Sequence, residues 1–169
     1  TFLLVEYKEK LYIIDQHAAH ERILFEKLLK NASSTQNLLV PYILETQSQE
    51  DDDYLESIKD NLKEAGFSIE NCGDGSWQIT SIPILWQGSE KDLQKDILEN
   101  KKEPENLVRH ILARAACRAA IKDGHVVDRD TACKIIEEAL KLEDAHCPHG
   151  RPIWTVLDKA ELFDRVKRS

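Results

Sequence analysis

The sequence predicts a mixed α+β fold, arranged as one ordinary domain or two small lobes, and its apolar patterns carry this prediction. Residues 2–14 show the pattern of a β-hairpin, and the 3.6-residue period of a helix begins at Ala18. An amphipathic helix pattern over residues 54–65 is followed by strand patterns within 68–85. A further apolar strand is predicted at 153–156. We therefore expect helices and strands to be mixed throughout the chain.

The N-terminal elements lead directly to a polar cluster. Two predicted strands flank a polar turn at residues 8–10, and the helix that follows them ends within 31–34. This arrangement places Asp15 at the end of a strand, beside the entrance of a helix. Residues 33–52 contain Pro41 and an acidic run, and they predict an irregular segment.

Turn and cap residues set the remaining boundaries. Gly66 ends the helix before it, and Gly124 ends an alanine-rich helix that begins after Pro104. A loop with two prolines at 147–152 cannot be helical. The other predicted elements are strands 68–70, 77–80 and 82–85, helices 91–99, 105–122 and 131–142, and a last helix near 157–166.

The composition limits the classes of function. The chain has 169 residues, with 23 Lys and Arg against 31 Asp and Glu, which gives a formal charge of −8. An acidic chain does not attract the phosphate backbone by net charge, which counts against a simple DNA-binding module. A membrane span needs about 20 consecutive apolar residues, and no apolar run in the sequence approaches that length. We therefore expect no membrane partner. The chain begins at Thr1 and contains no Met, which indicates a piece of a longer protein.

The cysteines indicate a reducing compartment. The four cysteines, at positions 72, 117, 133 and 147, lie far apart and lack the density of a secreted disulfide scaffold. We therefore expect free thiols in a cytoplasmic protein, where thiolates are available as metal ligands.

The first polar cluster combines Asp15, His17 and Glu21. If the helix begins near His17, then His17 and Glu21 are four residues apart and project from one face, with Asp15 at its N-terminal end. These groups are either metal ligands or a helix cap followed by solvated side chains. Glu26 lies about 140° farther round the helix, so we expect it to support the site from outside. His20 is assigned no role other than that of a surface histidine.

The second cluster is Cys147 with His149, which stand two residues apart. Thiolate and imidazole are common zinc ligands, but one pair does not fill a tetrahedral site, so a buried thiol beside an exposed histidine stays open. Cys117 lies on the alanine-rich helix, where a packed core thiol is the default interpretation. If these segments meet, their oxygen, nitrogen and sulfur donors suit Zn²⁺, with carboxylates left for Mn²⁺ or Mg²⁺.

These motifs together resemble a known family. Residues 15–26 read D-Q-H-A-x-x-E-x-x-x-x-E, residues 116–118 read A-C-R, residues 147–152 read C-P-H-G-R-P, and residues 163–165 read F-D-R. In this order they are similar to the metal-binding motifs of the C-terminal endonuclease domain of MutL-type mismatch repair proteins of bacteria. The resemblance implies a metal-dependent endonuclease that nicks one strand of duplex DNA.

The resemblance also implies roles for individual residues. Asp15 and Glu21 are the implied catalytic carboxylates, and Zn²⁺ would be structural or regulatory while Mn²⁺ or Mg²⁺ activates hydrolysis. Arg118 and Arg151 either contact the scissile phosphate or orient the carboxylates, and both interpretations stay open. The implied metal ligands are Asp15, His17, Glu21, Cys117, Cys147 and His149.

A further stretch resembles the segment with which bacterial members of this family bind the replication sliding clamp. Residues 36–41 read Q-N-L-L-V-P, with Gln36, Leu38, Leu39 and Pro41 as the matching positions. A short extended peptide with apolar anchors can dock in a hydrophobic groove. A buried linker strand is the alternative.

The family resemblance implies an architecture and a set of partners. Residues 1–41 and 105–169 would form a dimerisation lobe with the metal site, and residues 42–104 an external regulatory lobe. The implied partners are a second copy of the chain, duplex DNA, the sliding clamp, a mismatch-recognition protein and an absent N-terminal ATPase domain, all at the bacterial nucleoid. The alternatives are an idle, zinc-stabilised dimerisation module and a zinc hydrolase that acts on a small molecule.

Overall fold

The computed structural model describes residues 1–99, 101 and 103–167, and it confirms the mixed α+β class. The chain divides into two compact units, residues 1–24 with 119–169 and residues 25–118. In chain order the elements are β1 (Phe2–Tyr7), β2 (Lys10–Asp15), α1 (Gln16–Lys30), β3 (Thr35–Glu45), α2 (Gln49–Glu64), β4 (Ser68–Gly73), β5 (Ser76–Pro83), α3 (Glu90–Gln94), a π-helical turn (Lys95–Glu99), α4 (Pro104–Ala119), α5 (Arg129–Ala139), β6 (Trp154–Asp158) and α6 (Lys159–Arg165).

The first unit is built on an antiparallel sheet with the strand order β1-β2-β6. The predicted hairpin is confirmed, and its two-residue turn holds Lys8 and Glu9 at φ 49° and 58°. Positive φ at both central residues gives the turn a twist that matches the twist of the paired strands. The third strand brings the chain end back beside β2, since Ile14 pairs with Trp154.

The core of this unit lies between the sheet and the helices. Its buried members are Ile14, Ala18, Ala19, Ile23, Ile135, Ala139, Cys147 and Ile153. The paired alanines in the first turns of α1 allow close packing, and α5 contributes Ile135 and Ala139. The thiol Cys147 is thus part of the apolar core, although it lies in a loop.

The second unit contains the antiparallel sheet β3-β5-β4 and helices α2, α3 and α4. The prediction that residues 33–52 are irregular is wrong, because β3 pairs with β5 and α2 already begins at Gln49. The Ser48 side chain accepts a hydrogen bond from the Asp51 backbone N–H at 3.2 Å. The acidic residues that follow Ser48 suit a helix N-terminus, where the backbone dipole favours negative charge.

The strand β3 carries a large irregularity. Asn37 pairs with Ser81 and Tyr42 pairs with Ile79, so residues 38–41 stand opposite the single residue Thr80. The extra residues leave the regular ladder, which lets Pro41 occur within a strand without the loss of a ladder hydrogen bond.

Smaller differences concern the element ends. The last helix begins at Lys159 because Asp158 and Glu161 form a capping box. The Asp158 side chain accepts the Glu161 backbone N–H, and the Glu161 side chain accepts the Asp158 backbone N–H. The predicted helix 91–99 becomes α3 followed by the π-helical turn, and α4 ends at Ala119 rather than at 122. Within the described residues, no helix has both the length and the apolar character to cross a membrane.

The proposed lobe boundaries stay predictions. The compact units meet along the chain at residues 24 and 25 and at 118 and 119, whereas the resemblance places lobe boundaries at 41 and 105. Compactness alone does not assign dimerisation or regulation to either unit.

Candidate metal centre

The entrance of α1 is fixed by Asp15. Its Oδ1 accepts a hydrogen bond from the Ala18 backbone N–H at 3.0 Å, which is the bond of an N-cap. The Asp15 backbone N–H donates to the Ile153 carbonyl at 2.9 Å, which ties the strand end to the chain segment before β6. The capping interpretation of Asp15 is therefore correct as local structure. Its cap position also aims the carboxyl group at the start of the helix that carries His17 and Glu21.

The orientation of His17 follows from one contact. Its Nδ1 lies 2.8 Å from the Ile121 carbonyl oxygen. Since a carbonyl oxygen only accepts, Nδ1 must carry the proton, and in the neutral ring Nε2 then holds the lone pair. A metal-binding histidine commonly donates its other ring N–H in this manner. His17 and Glu21 place one ligand atom each within 4.8 Å of the other.

Glu21 is a buried carboxylate. Its side chain is 0% exposed, its Oε1 lies 2.7 Å from His149 Nδ1, and its Oε2 lies 3.8 Å from Arg151 Nη2. Among the described residues, neither oxygen accepts a hydrogen bond of good geometry. Burial of a carboxylate is costly unless cationic or donor groups compensate it. The buried Glu21 carboxylate therefore needs a cationic group in contact with its oxygens.

The loop around Cys147 supplies the matching ligands. The Cys147 backbone N–H donates to the Arg151 carbonyl and the Gly150 N–H donates to the Cys147 carbonyl, both at 2.8 Å. Gly150 adopts φ +85°, a conformation that other residues rarely adopt. The closed loop places donor atoms of Glu21, Cys147 and His149 within 4.8 Å of one another.

Arg151 lies in the field of these groups. Its hydrogen bond with Cys147 is the largest influence on the guanidinium, and the charges of Cys147, Glu21 and Asp15 add to it, so the pKa of Arg151 is raised. The side chain is still 60% exposed. A guanidinium that contacts the site and faces solvent is compatible with both interpretations of Arg151, namely phosphate contact and orientation of the ligands.

The segment before Cys147 is held by Arg22, which the sequence analysis missed. Arg22 Nη1 donates to Asp144 Oδ2 at 3.0 Å and to the His146 carbonyl at 3.3 Å. Hydrogen bonding from His146 and the charge of Arg22 lower the pKa of Asp144. The buried arginine stands next to Glu21 in the sequence, but no local pattern indicates a partner 122 residues away.

Cys117, Arg118 and Glu26 belong to the second unit. Cys117 is half-buried on α4, and Glu26 is half-buried on α1. Arg118 contacts Asp96 Oδ2 through Nη1 at 3.2 Å and lies over the Trp86 ring at 5.7 Å from its centroid. Asp96 is 0% exposed and also pairs with Arg114 at 2.7 Å. These contacts give Arg118 a structural anchor within its own unit.

The donor set of the first unit fits a zinc ion. Thiolate, imidazole and carboxylate from Cys147, His149 and Glu21 are the zinc ligands that proteins use most, and a ligand atom of His17 lies within 4.8 Å of one of Glu21. A cation at this place would compensate the buried carboxylate, which lacks well-formed hydrogen bonds. Among the described residues of this unit, Asp15 is not part of the three-residue cluster.

Comparison with known proteins agrees with the motif order. Residues 1–127 match the family model described as the MutL C terminal dimerisation domain. The chain is 45% identical over 169 residues to the DNA mismatch repair protein MutL of Treponema pallidum, a match that covers 100% of this chain and 27% of that protein. It is 41% identical over 180 residues to the MutL of Clostridium beijerinckii, covering 98% of this chain and 27% of the relative. The chain thus spans about a quarter of these relatives, and it belongs to the family of MutL C-terminal dimerisation domains.

Proposed function

We propose that this chain is the metal-dependent endonuclease domain of a MutL-type mismatch repair protein and that it nicks one strand of duplex DNA. The observation that carries the proposal is the buried Glu21 carboxylate beside Cys147 and His149, within the motif that begins with Asp15. Zn²⁺ suits the sulfur-containing cluster, and Mn²⁺ or Mg²⁺ suits the carboxylates of Asp15 and Glu21.

Different residues of the chain have different roles in the proposed reaction. Bound divalent cations would make a water molecule nucleophilic near neutral pH and would neutralise the developing phosphate charge. Asp15 caps the helix that carries His17 and Glu21, and from there its carboxylate would orient a water molecule or a cation. Arg151 is exposed and positively charged, so it can bind a phosphate oxygen while it contacts Cys147. Glu21 and His17 hold their donor atoms in fixed positions from one helical face.

Metal binding is the first test. We expect Cys147→Ser and Glu21→Gln each to weaken Zn²⁺ binding at least about 10–100-fold. Loss of a contact that only supports a ligand already has an effect of this size. Competition with a chromogenic chelator measures the affinity. Cys133→Ser is the matched control, because Cys133 is an exposed thiol on α5. Equal zinc affinity in the native chain and in all of these variants would contradict the proposed metal centre.

The nicking reaction is the second test. With Mn²⁺, low salt and high protein concentration, we expect the native chain to convert supercoiled plasmid to the open-circular form. Asp15→Asn and Glu21→Ala should each lower this rate at least about 100-fold, because each removes a carboxylate on which the metal-assisted step depends. Asp130→Asn and Glu137→Ala, on α5, are the controls and should nick at the native rate.

The alternative is an idle, zinc-stabilised dimerisation module. It is favoured by the position of Cys147 within the apolar core, which is typical of a structural metal ligand. An idle module would bind zinc but would leave the plasmid closed even with the clamp loaded on the DNA. A small-molecule zinc hydrolase would instead turn over without DNA.

We further propose that two copies pair through the outer face of the β1-β2-β6 sheet. Phe2 and Leu4 are 64% and 67% exposed there, and Leu4 pairs with Ile13 on the same face. A cavity of about 420 Å³ beside this face is lined in part by Leu11 and by Phe163 of α6. An apolar sheet face with an adjoining groove suits a self-complementary interface.

The dimer is tested by charge insertion. Leu4→Glu places a charge on the outer sheet face, and we expect it to weaken self-association at least about 100-fold, because an unpaired charge would be buried at the interface. Sedimentation equilibrium measures the dissociation constant. Val126→Glu is the control, since Val126 is 82% exposed outside the sheet. Equal effects of both substitutions would contradict the proposed face.

The sliding clamp is a proposed partner through the irregular part of β3. Residues 38–41 leave the ladder, and Leu39 and Val40 are 103% and 78% exposed. Such exposure is costly for a chain without a partner, and it presents an extended peptide with apolar anchors. Delivery by the clamp and by the absent ATPase domain would offset the weak attraction of a chain of charge −8 for DNA.

Removal of one anchor tests this contact. We expect Leu39→Ala to weaken binding to the bacterial clamp at least about tenfold, because an apolar side chain buried in a groove contributes about 1.5–3 kcal/mol. Isothermal titration calorimetry measures the affinity. The control is Ile84→Ala, which removes another exposed aliphatic side chain of the same unit. A clamp that binds both variants like the native chain would exclude this segment as the contact.

A further inference from the structure

Two histidines of α1 contact the backbone of one residue, Ile121. His17 Nδ1 lies 2.8 Å from the carbonyl oxygen of Ile121, and the backbone N–H of Ile121 donates to His20 Nδ1 at 3.1 Å. His20 is half-buried and not the surface side chain that the sequence predicts. Ile121 is therefore bound through both of its backbone polar groups by side chains that are three residues apart on one helix.

The two contacts require opposite tautomers. A carbonyl oxygen only accepts and a backbone N–H only donates, so Nδ1 is protonated in His17 and carries the lone pair in His20. In the neutral rings, the proton of His20 is then on Nε2, while Nε2 of His17 is left to bind a cation. The Ile121 N–H belongs to the peptide group shared with residue 120 and the Ile121 C=O to the group shared with residue 122, so the two contacts together fix both peptide groups that flank the Ile121 Cα.

The surrounding chain does not fix this peptide by regular structure. Helix α4 ends at Ala119, and residues 120–128 form neither helix nor strand. The Ile121 side chain packs partly against the core, and Gln16 Nε2 donates to the His125 carbonyl at 2.9 Å farther along the loop. These contacts hold the segment in place, and the two histidines add a contact at each backbone polar group of Ile121.

We propose that His20 is a positioning residue: by accepting the Ile121 N–H it anchors the Ile121 backbone against α1 and so keeps the Ile121 carbonyl within reach of His17 Nδ1, which holds His17 in the Nδ1–H tautomer with Nε2 available to the metal. The proposal rests on the metal-binding part of the proposed function. It assigns His20 no contact with metal or DNA. His20 acts instead through a peptide that lies 101 residues away in the sequence.

The variants separate this role from general packing. His20→Leu keeps an apolar side chain of similar size but provides no acceptor, whereas His20→Asn keeps an acceptor close to the position of Nδ1. His125→Ala is the control, because His125 is an exposed histidine of the same loop whose side chain makes none of the contacts described above. All variants are made in the whole 169-residue chain.

The first measurement is the tautomer of His17 in the metal-free protein, read from long-range ¹H–¹⁵N correlations of the histidine rings. We expect the Nδ1–H form in the native chain, in His20→Asn and in His125→Ala, and a mixture or the Nε2–H form in His20→Leu. Retention of the native tautomer in a folded His20→Leu chain would overturn the proposal. If His20→Leu does not fold, His20→Ala takes its place under the same criterion.

The second measurement is Zn²⁺ affinity by chelator competition. We expect His20→Leu to bind about tenfold more weakly, the lower part of the range for loss of a contact that orients a ligand. His20→Asn should restore affinity to within about threefold of the native value, and unchanged affinity in His20→Leu would count against the role. If the native chain binds no zinc, the proposed metal centre fails, while the tautomer measurement still decides the role of His20.

Discussion

The burial of one carboxylate is the constraint on which the first unit depends. Glu21 is 0% exposed, and neither of its oxygens is well hydrogen-bonded among the described residues. An uncompensated charge in such a place would cost several kcal/mol. The imidazole of His149 and the guanidinium of Arg151 both lie beside Glu21, and the closed loop 147–151 positions them there.

The same constraint explains how distant parts of the chain are joined. Helix α1 begins where β2 ends, and in its first two turns it carries Asp15 as a cap, His17, His20, Glu21 and Arg22. Asp15 caps the helix entrance, His17 and His20 both contact the Ile121 backbone, Glu21 faces the cysteine loop, and Arg22 binds the Asp144 segment. A single helix thus organises loops that are more than 100 residues away from it in the sequence.

Local patterns sufficed where the interactions were local. The hairpin, the start of α1 and the helix α5 follow from alternation, capping and helical period, and the motif order led to the family. The strand β3 was missed because residues 38–41 interrupt its alternation and Pro41 suggested a break. His20 and Arg22 were missed because their partners, Ile121 and Asp144, lie far away in the chain, and no spacing rule connects them. The sequence alone does not decide whether Asp15 caps α1. The hydrogen bond from the Ala18 N–H to the Asp15 side chain shows that it does.

The position of Cys147 has a thermodynamic consequence. The thiol is 2% exposed and belongs to the same buried cluster as Ile14 and Ala18, so it is a member of the core as well as a donor atom of the candidate metal centre. A cation that binds this thiol only in the folded chain adds its binding free energy to folding, about 2.7 kcal/mol at a concentration 100-fold above its dissociation constant. If the proposed centre binds its cation, metal supply and fold stability would be linked quantities, and removal of the ion would lower the folded fraction of this unit.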